Sequence, residues 1–589
     1  MKQEHPVEKE PRLNEVHVSS PADTAAIAPA REERLFLLLS IFIGIISGLL
    51  VVSFRMAIDW LQVLLLGSAP NPHQPRLLIV PAVIGLVIAV LTRYVFPQVR
   101  GSGVNQTKAA LYINNGYISF RTVMGKFMLS ALAIGGGHSL GPEDPALQIG
   151  AGVASLISRR MGLSRERLRL FAPIGAAAGL AAAFNAPISA ILFVIEEVIG
   201  QWNAAVLGSI VLAAVSSVVV ARSFWGSEPM FRIPPVTFNS RELLAYTVLG
   251  VFGGVAALIF SKAIGYLRPR LRQQPAWAQM LQPGLAGLLV GGIGYFGLPQ
   301  VMGAGYEAID QAMHAQFAWK MLLLLAIFKI IATTLSFSSG TPGGMFAPTL
   351  FIGAMLGASI GAFEKLYFPQ LHLTGSLASY ALVGMGVLFA AFLRAPLTSV
   401  FMVLEVSGNY SIIVPVILAN TIAYVISRSF QPIPVFEMLT HQDGLYLPSM
   451  EEQREESELH IEDAMQPVVV PILQGSETVA DAMKAVAQYS GMEDASVVLV
   501  HCRDGLWYAA KHEELQEMFA KASEADPAGS LEERLGKERT PVLFPDLPLA
   551  STLPHFKRWP LLPITNRAMR GALEGTVSMA DVLKRYQGR

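Results

Sequence analysis

Residues Leu35–Val52 read LFLLLSIFIGIISGLLVV and contain no charged side chain. A helix needs about 20 predominantly apolar residues to cross the hydrocarbon core of a bilayer. A second run, LLIVPAVIGLVIAVL (Leu77–Leu91), follows, and similar runs recur to about Ser427. Some 400 residues of this character, roughly, predict on the order of 16–20 helical segments, many of them tilted or broken by glycine and proline. We therefore predict an all-α polytopic membrane region.

The composition of the 589-residue chain supports this prediction. Hydrophobic residues make up 52% and charged residues 15%, where soluble domains average about a quarter charged. The formal net charge is zero and no basic block is present, which argues against a nucleic-acid partner. The single cysteine, Cys502, excludes an intramolecular disulfide and a cysteine-rich metal site, and we expect no metal.

Polar segments frame the membrane region, which we place at residues 35–437. Residues 1–34 are charged and rich in proline and lack the apolar core of a secretory signal, so we expect a disordered cytoplasmic tail. Residues 438–462 are strongly acidic and are predicted to form a linker. Residues 463–589 alternate apolar strands and helices in two βαββα-like copies, which predicts a compact cytoplasmic α/β domain.

The membrane region repeats itself, with halves at about residues 35–225 and 240–437. Four blocks return in the same order at nearly constant spacing: Pro97–Gly103 as Pro299–Gly305, Lys126 as Lys329, Pro142–Ala151 as Met345–Ala354, and Ala186–Glu196 as Ala395–Glu405. Two related halves imply a pseudo-two-fold axis and a site where the halves meet. An inverted arrangement is the common transporter solution, but the sequence alone leaves the orientation open.

Three predicted helix starts could bind an anion. GSG at Gly101, GPEDP at Gly141 and TPGGMFAP at Thr341 each place glycine or proline just before a predicted helix. Such starts leave free N–H groups and a partial positive charge of about half a unit. Several of them aimed at one point would hold an anion without a basic side chain. The alternative is that they are packing glycines in a crowded bundle.

Glu143 lies among the first residues of one such helix. A charged side chain at membrane depth costs at least ~2.5 kcal/mol, so it marks a functional position by default. Its carboxylate could occupy the anion's own site and swing away when protonated. Its repeat partner is Phe346, so the architecture does not need an acid here. Asp144 should raise the proton affinity of the pair if both face one cavity. The alternative is a plain helix-capping acid.

Two further acids end an apolar helix. Glu196 has a repeat partner, Glu405, which suggests a structural role such as bonding to neighbouring backbone N–H groups. Glu197 has no acidic partner, because the equivalent residue is Val406. An acid present in one half only is the better candidate for a one-sided proton task. The alternative is a solvated helix end.

These residues resemble the CLC family of chloride channels and chloride/proton antiporters. The family signatures GSGIP, G-[KR]-E-G-P and G-x-F-x-P stand here as Gly101–Asn105, Gly141–Pro145 and Gly344–Pro348, in matching order. The likeness covers roughly residues 35–440, and the trailing copies resemble tandem CBS modules. It implies a homodimer in a lipid bilayer, a pathway in each subunit, inverted halves and no required cofactor.

The resemblance also assigns anion contacts. Ser102, beside Gly103, matches the hydroxyl that contacts a central anion, and serine looks like the chloride-preferring form. The backbone N–H groups of Met345 and Phe346 match further contacts. Phe436 falls where a tyrosine hydroxyl normally touches the anion. Because phenylalanine lacks that donor, we predict weaker central occupancy and looser coupling to protons.

Glu143 matches the family's gating glutamate, and Glu197 matches the inner proton glutamate that separates typical antiporters from channels. The sequence also departs from the family pattern: Asn105 replaces a proline, Pro142 and Asp144 flank Glu143 where basic and glycine residues are usual, and Lys108 stands where some members have an acid.

The first functional hypothesis is exchange of chloride for protons, gated by Glu143. The alternative is a passive voltage- or proton-gated chloride channel. A third class, an intramembrane enzyme, is disfavoured because no HExxH or P-loop string is present, and we expect no enzyme. The chain shows no organelle signal, so we expect a bacterial inner membrane protein with both termini in the cytoplasm.

The soluble domain offers a separate prediction. In tandem CBS modules a Ser/Thr-x-x-Asp near the last helix can hold the ribose of an adenine nucleotide, and Ser578 and Asp581 fit that pattern. The alternative is a structural dimerisation domain without a ligand.

Overall fold

The computed structural model of the chain describes residues 21–68, 71–161, 165–200, 204–231, 233, 242–368, 376–445, 447, 459–489, 497–511, 513, 515–517, 530–535, 539–567 and 572–587. The chain divides into two compact units, unit 1 (Met1–Leu447) and unit 2 (Pro448–Arg589).

Unit 1 is helical, and its two halves contain matching helices. Those of the first half are α1 (Pro21–Leu65), α2 (Pro75–Tyr94), α3 (Val104–Tyr112), α4 (Phe120–Gly135), α5 (Glu143–Ser158), α6 (Arg165–Phe184), α7 (Pro187–Phe193) and α8 (Ala204–Trp225). Those of the second half are α9 (Leu243–Arg272), α10 (Ala276–Tyr295), α11 (Tyr306–Met313), α12 (Trp319–Ser338), α13 (Phe346–Tyr367), α14 (Leu377–Leu393), α15 (Pro396–Ser407) and α16 (Ile413–Phe430). A final helix, α17 (Val435–Gln442), follows.

The helices carry apolar side chains on both their packed and their exposed faces. In α2, Leu77 and Ile88 are buried, whereas Ile79 and Val83 are more than half exposed. A helix that is apolar all round and not fully buried is typical of a membrane span. Seven helical segments of the described chain are long and apolar enough to cross a membrane. The predicted fold class, an all-α polytopic membrane protein with a small α/β unit, is confirmed.

Two predicted boundaries differ from the structure. Helix α1 begins at Pro21, inside the predicted tail, although its membrane-capable part begins at Arg34. Eight of residues 25–34 are Ala, Glu or Arg, which favour helices, and they allow the helix to extend despite Pro29. The rest of the tail, residues 1–20, lies outside the described residues. Helix α17 likewise continues to Gln442, inside the predicted linker, most of which is also outside the described residues.

The two halves pack in the same way and meet about a local two-fold axis. Helix α5 packs on α6 as α13 packs on α14, and α1 packs on α8 as α9 packs on α16. The equivalent helices α2 and α10 also pack on each other, as do α7 and α15. At the junction, Gly141 and Gly344 form an antiparallel bridge, with N–O distances of 2.9 and 2.8 Å. Such a bridge between equivalent residues has two-fold symmetry, so the halves run antiparallel at their junction.

Unit 2 holds two copies of a strand-and-helix pattern. The first copy contains β1 (Ile472–Gln474), α18 (Val479–Tyr489), β2 (Val497–His501), β3 (Trp507–Lys511) and α19 (Leu531–Arg534); the second contains β4 (Leu561–Thr565), β5 (Leu573–Ser578) and α20 (Met579–Gln587). Strand β2 pairs parallel to β1 and antiparallel to β3, and β4 pairs antiparallel to β5. One core, which includes Trp507 of the first copy and Trp559 and Leu562 of the second, joins the copies.

Three elements predicted for unit 2 differ from the structure. The predicted strand at residues 540–544 makes only a single bridge, from Leu543 to Ile564. The predicted helix at residues 549–556 is a 3-10 helix, Leu549–Lys557, which contains Pro554. Proline removes a helical donor and clashes with the preceding turn, which disfavours a regular α-helix. The helix predicted at residues 513–522 lies largely outside the described residues.

Candidate functional site

Two buried lysines fix the glycine-rich loops before α3 and α11. Lys126 Nζ donates to the carbonyl oxygen of Gly101 at 2.7 Å, and Lys329 Nζ donates to that of Gly303 at 2.8 Å. Both lysines are fully buried. Backbone carbonyls therefore supply the hydrogen bonds that a buried ammonium needs. Because these lysines serve the same purpose in both halves, they belong to the frame of the site.

Two glutamates cap helix starts in the opposite half. Glu196 Oε2 accepts hydrogen bonds from the N–H and the hydroxyl of Thr398, at 2.9 and 2.6 Å. Glu405 Oε2 accepts the matching pair from Ser189, at 2.8 and 2.6 Å. The structural role predicted from the Glu196–Glu405 repeat is confirmed. These contacts tie the turn after α7 to the start of α15, and the end of α15 to the start of α7.

The starts of α3, α5 and α13 come together at the junction of the halves. The N–H of Gly343 lies 3.5 Å from the carbonyl oxygen of Gly101, and the Gly141–Gly344 bridge lies on the other side. Gly103 has a φ of 123°. A Cβ on Gly103 would lie 2.7 Å from the carbonyl oxygen of Asp144, so only glycine allows α3 to approach α5 this closely.

The carboxylates of Glu143 and Asp144 reach across the junction to α13. Glu143 Oε2 accepts from the N–H of Ala347 at 3.3 Å, and Asp144 Oδ2 accepts from the N–H of Met345 at 2.9 Å. Both side chains are fully buried. Their other oxygens, Glu143 Oε1 and Asp144 Oδ1, are buried without a hydrogen-bond partner among the described residues. Acids of one half thus occupy the donors that the other half presents.

Asp144 contributes more than the sequence indicated. The sequence predicts only that it affects Glu143, yet it holds the N–H of Met345, which is predicted to contact an anion. A signal was available, because the repeat partner of Asp144 is Ala347, so this acid too is present in one half only.

Phe346 lies at the centre of a cluster of buried rings. Its ring centroid is 4.8 Å from that of Phe193, 5.4 Å from Phe389, 6.1 Å from Phe184 and 6.2 Å from Phe436. Phe436 therefore approaches the start of α13, but it brings a ring without a hydroxyl. This aromatic cluster keeps water out of one side of the junction.

Ser102 and Asn105 connect the start of α3 to its surroundings. The hydroxyl of Ser102, a buried residue, accepts from the N–H of Val104 at 3.3 Å. The amide of Asn105 donates to the carbonyl oxygen of Phe436 at 3.1 Å. Asn105 thus ties α3 to α17 directly, which a proline at this position could not do.

Cavities reach the first half of α5. A basic cavity of about 740 Å³ reaches Gln148 of α5, and its charged lining residues are Arg93, Arg100, Arg268, Arg272 and Asp443. Two acidic cavities, of about 330 and 630 Å³, share Arg55 and Asp59, and the smaller reaches Pro142 of α5. Glu307 lines the smaller acidic cavity, and Glu228 and Asp310 line the larger one. Along the chain, Glu143 and Asp144 lie between Pro142, which lines an acidic cavity, and Gln148, which lines the basic cavity.

A family model described as voltage gated chloride channel matches residues 84–428. This chain belongs to that family. It is 34% identical over 397 residues to the H(+)/Cl(-) exchange transporter ClcA of Salmonella arizonae, covering 65% of this chain and 83% of the relative.

Solved structures share the fold. A slow cyanobacterial Cl-/H+ antiporter matches with a TM-score of 0.63 at 24% identity, over 71% of this chain and 99% of that structure. A eukaryotic CLC transporter matches with a TM-score of 0.59 at 20% identity, over 93% of this chain and 97% of that structure.

Glu197 has an unusual partner for this family. It lies in a π-helical turn, Val194–Ile199, and its Oε1 accepts from Lys108 Nζ at 2.9 Å. Both side chains are buried, with exposures of 5% and 9%. Lys108, a departure from the family pattern, therefore neutralises the predicted proton glutamate.

One string that matches a catalytic motif was missed. Gly137–Gly141 reads GHSLG and fits the GxSxG pattern of serine hydrolases. That motif needs a strand-to-helix turn, but here the string joins two helices, α4 and α5. Ser139 is buried, and its hydroxyl pairs with that of Thr333 at 3.0 Å. The match is therefore accidental, and Ser139 links the two halves.

Ser578 and Asp581 bond to each other at the start of α20. Asp581 Oδ2 accepts from the N–H and the hydroxyl of Ser578, at 2.9 and 2.5 Å, and the N–H of Asp581 lies 3.2 Å from the Ser578 hydroxyl. This reciprocal pattern is a capping box. The pair thus has a structural role without a nucleotide, and its ligand role stays a prediction.

Among the described residues, one group has side chains that could hold a metal ion: Cys502, Asp504 and Glu532 in unit 2. Arg539 already donates to both carboxylates, at 3.0 and 2.9 Å. Burial raises the pKa of the Cys502 thiol to about 11, so it is not a thiolate ligand at neutral pH. The guanidinium of Arg539 therefore supplies the positive charge that a metal ion would otherwise bring to this group.

Proposed function

We propose that this protein exchanges chloride for protons across a membrane. The observation that carries the proposal is the Glu143 carboxylate, which accepts a hydrogen bond from the N–H of Ala347 at the start of α13 and directly follows Pro142, which lines an acidic cavity. The relative from Salmonella arizonae is named an H(+)/Cl(-) exchange transporter, and its identity to this chain extends over most of unit 1.

The geometry supports competition between an acid and an anion for one place. Helix starts bind anions through N–H groups and a partial positive charge. When Glu143 is charged, its carboxylate accepts the hydrogen bond from the N–H of Ala347, and that N–H is closed to chloride. When Glu143 takes up a proton, its bond to the helix start weakens and chloride can replace it. No lysine or arginine is needed at this point, so the anion can also leave.

We place Ser102, Gly103, Met345 and Phe346 at the chloride position, with Phe436 beside it as a ring without a donor. Ser102 adjoins Gly103, which packs against Asp144, and Phe436 packs against Phe346. The hydroxyl of Ser102 can rotate from its contact with Val104 to donate to an anion.

A passive chloride channel is the second candidate. The Lys108–Glu197 ion pair favours it, because an acid held by a buried lysine is a poor proton carrier. Breaking a buried pair by neutralising one partner leaves an uncompensated charge. Exchange would therefore require Glu197 to pass protons while Lys108 stays close.

We propose that the basic cavity faces the cytoplasm of a bacterium. Cytoplasmic ends of membrane helices carry an excess of lysine and arginine, and four arginines line this cavity. Both chain termini would then lie on the cytoplasmic side of an inner membrane, and we propose a homodimer with a pathway in each subunit.

An adenine nucleotide at Ser578 and Asp581 is a further proposal, tested by a thermal shift of the full chain with ATP, ADP or AMP.

Reconstituted vesicles test the function. An outward chloride gradient should drive proton movement against the proton gradient in wild-type vesicles, and Glu143→Gln should abolish it. Glu405→Gln is the matched control, because it alters a half-buried carboxylate that caps the start of α7 and takes no part in the proposed pathway. Chloride flux in wild-type vesicles without uphill proton movement would establish the channel instead.

A further inference from the structure

We propose that Asp144 is a second gating carboxylate, which holds the N–H of Met345 in place of chloride and releases it on taking up a proton. The inference rests on the proposed exchange function. Each turnover would then displace two acids from the start of α13, one from Ala347 and one from Met345.

Asp144 is placed to compete directly with an anion. Its Oδ2 lies 2.9 Å from the N of Met345, which is within the range of a charge-assisted hydrogen bond. The carboxylate also packs on the backbone of the α13 start, because a Cβ on Gly344 would lie 2.7 Å from Asp144 Cγ. Chloride cannot reach the Met345 N–H while the carboxylate stays there.

The environment of Asp144 requires a proton or a compensating ligand. Asp144 Oδ1 is buried and has no hydrogen-bond partner in the described part of the chain, and the same holds for Oε1 of the adjacent Glu143. Two neighbouring buried carboxylates that both carry charge repel each other. The buried cation Lys126 donates its hydrogen bonds to the carbonyl oxygens of the loop before α3. It acts on Asp144 only through its charge.

The groups that face the two acids come from four elements. Arg55 of α1 and Lys329 of α12 act on Glu143 by charge, Lys126 of α4 acts on Asp144, and the N–H groups of α13 bind both acids. No cation of this set forms a hydrogen bond to either carboxylate in the described residues. A proton is therefore the group that can satisfy the free oxygens.

Asp144 shares a face of α5 with a residue that lines the basic cavity. Gln148 follows Asp144 by four residues, so the two lie on one face of α5. Gln148 lines the basic cavity, and its Oε1 is buried without a hydrogen-bond partner among the described residues. In the proposed cycle, a proton that enters the basic cavity would pass Gln148 to reach Asp144, independently of the Lys108–Glu197 pair.

The step balances in atoms and charge. A hydronium ion in the basic cavity transfers its proton to the Asp144 carboxylate and becomes water; an O–H bond forms on Asp144, and the hydrogen bond from Met345 N–H to Oδ2 breaks. Chloride takes that N–H, so one negative charge replaces another at the helix start. When chloride leaves, Asp144 gives up the proton and binds Met345 again.

Proton uptake on chloride binding tests the proposal. We would titrate purified full-length protein with chloride by calorimetry in buffers of different ionisation enthalpy, which counts protons taken up per chloride bound. Asp144→Asn keeps the size of the side chain and a carbonyl for Met345 but cannot take up this proton. We expect uptake to fall by about one proton per chloride at pH values where wild type takes up two.

Asp144→Gly frees the Met345 N–H altogether. Because a hydrogen bond to a charged group becomes available, we expect chloride to bind about tenfold more tightly. Glu405→Gln is the control for a lost helix cap, and melting temperatures in detergent show whether each variant is folded.

The outcomes separate this inference from the proposed function. If both Asp144 variants keep the wild-type proton count and affinity and only melt earlier, as Glu405→Gln should, Asp144 is a plain cap and the inference is wrong. If wild type takes up one proton and Asp144→Asn also takes up one, the exchange function stands and the inference falls. If wild-type chloride binding takes up no proton at all, both fall.

Discussion

The starts of α5 and α13 have the same backbone and opposite chemistry. They face each other across the Gly141–Gly344 bridge, at equivalent positions of the two halves. The α5 start carries Glu143 and Asp144, and the same positions of α13 carry Phe346 and Ala347. One start therefore supplies acids, and the other supplies the N–H groups that those acids bind.

This comparison distinguishes residues that hold the junction together from residues to which we assign a part in transport. Residues that act alike in both halves, Lys126 with Lys329 and Glu196 with Glu405, hold loops and helix starts in place. Residues present in one half only, Glu143, Asp144 and Glu197, are the acids to which we assign the proposed exchange cycle. Equivalent residues of the two halves hold the junction together, whereas the acids that occur in one half only make its two sides chemically different.

The largest effect should come from Glu143→Gln. The amide keeps the side-chain volume but removes the charge that competes with chloride, so proton movement should fall to the level of protein-free vesicles while chloride flux continues. The measurement is simultaneous chloride and proton flux in liposomes. Persistent uphill proton movement in this variant would show that the asymmetry at α5 is not the coupling element.

Glu197→Gln should destabilise unit 1 more than the loss of either helix-capping glutamate. It leaves Lys108 charged, buried and unpaired, which costs about 3–5 kcal/mol. The double variant Lys108→Met/Glu197→Gln should recover most of the lost stability without recovering proton movement. Detergent unfolding curves and vesicle flux would measure the two properties. Equal stability of the single and double variants would contradict the ion pair's role.

The two helix-capping glutamates, Glu196 and Glu405, should contribute equally to stability and neither should contribute to coupling. Glu196→Gln and Glu405→Gln should each destabilise unit 1 by about 1–2 kcal/mol, because each weakens the cap on a helix start. Neither should alter the number of protons moved per chloride. The check is a parallel measurement of melting temperature and coupling in both variants. A change of coupling in only one of them would break the division between frame and function.

The smallest effect should come from Phe436→Tyr. A hydroxyl added beside Phe346 offers chloride a new donor, so binding should tighten by about tenfold, or ~1.5 kcal/mol. Phe389→Tyr is the matched control, since it adds a hydroxyl to another ring of the same aromatic cluster. Chloride titration by calorimetry would compare them. Equal effects of the two variants would remove Phe436 from the site.

Much of the fold could be predicted because its signals are local. Apolar runs, the glycine-rich starts and the repeated blocks indicate a two-fold membrane protein without knowledge of any contact. The start of α1 at Pro21 was missed because helix formation does not stop where the apolar run begins. The boundary at Leu35 marks a change of polarity, not of backbone conformation.

The contacts of the site were harder to predict because they join distant parts of the chain. Lys108 and Glu197 are 89 positions apart, and no periodic pattern connects them. The bond from Asp144 to Met345 spans 201 positions. Ser578 and Asp581 are the opposite case, because their contact is local. Their spacing resembles that of a ribose site, but in the structure the two side chains form a capping box with each other.

The most direct test of competition at the α13 start is an anomalous bromide map of crystals of Glu143→Gln and of wild type, grown at the same pH. The account predicts bromide density within hydrogen-bonding distance of the N–H of Ala347 in the variant, at the place where the Glu143 carboxylate lies in wild type. Bromide bound elsewhere in the variant, or bound beside an undisplaced Glu143 in wild type, would contradict it.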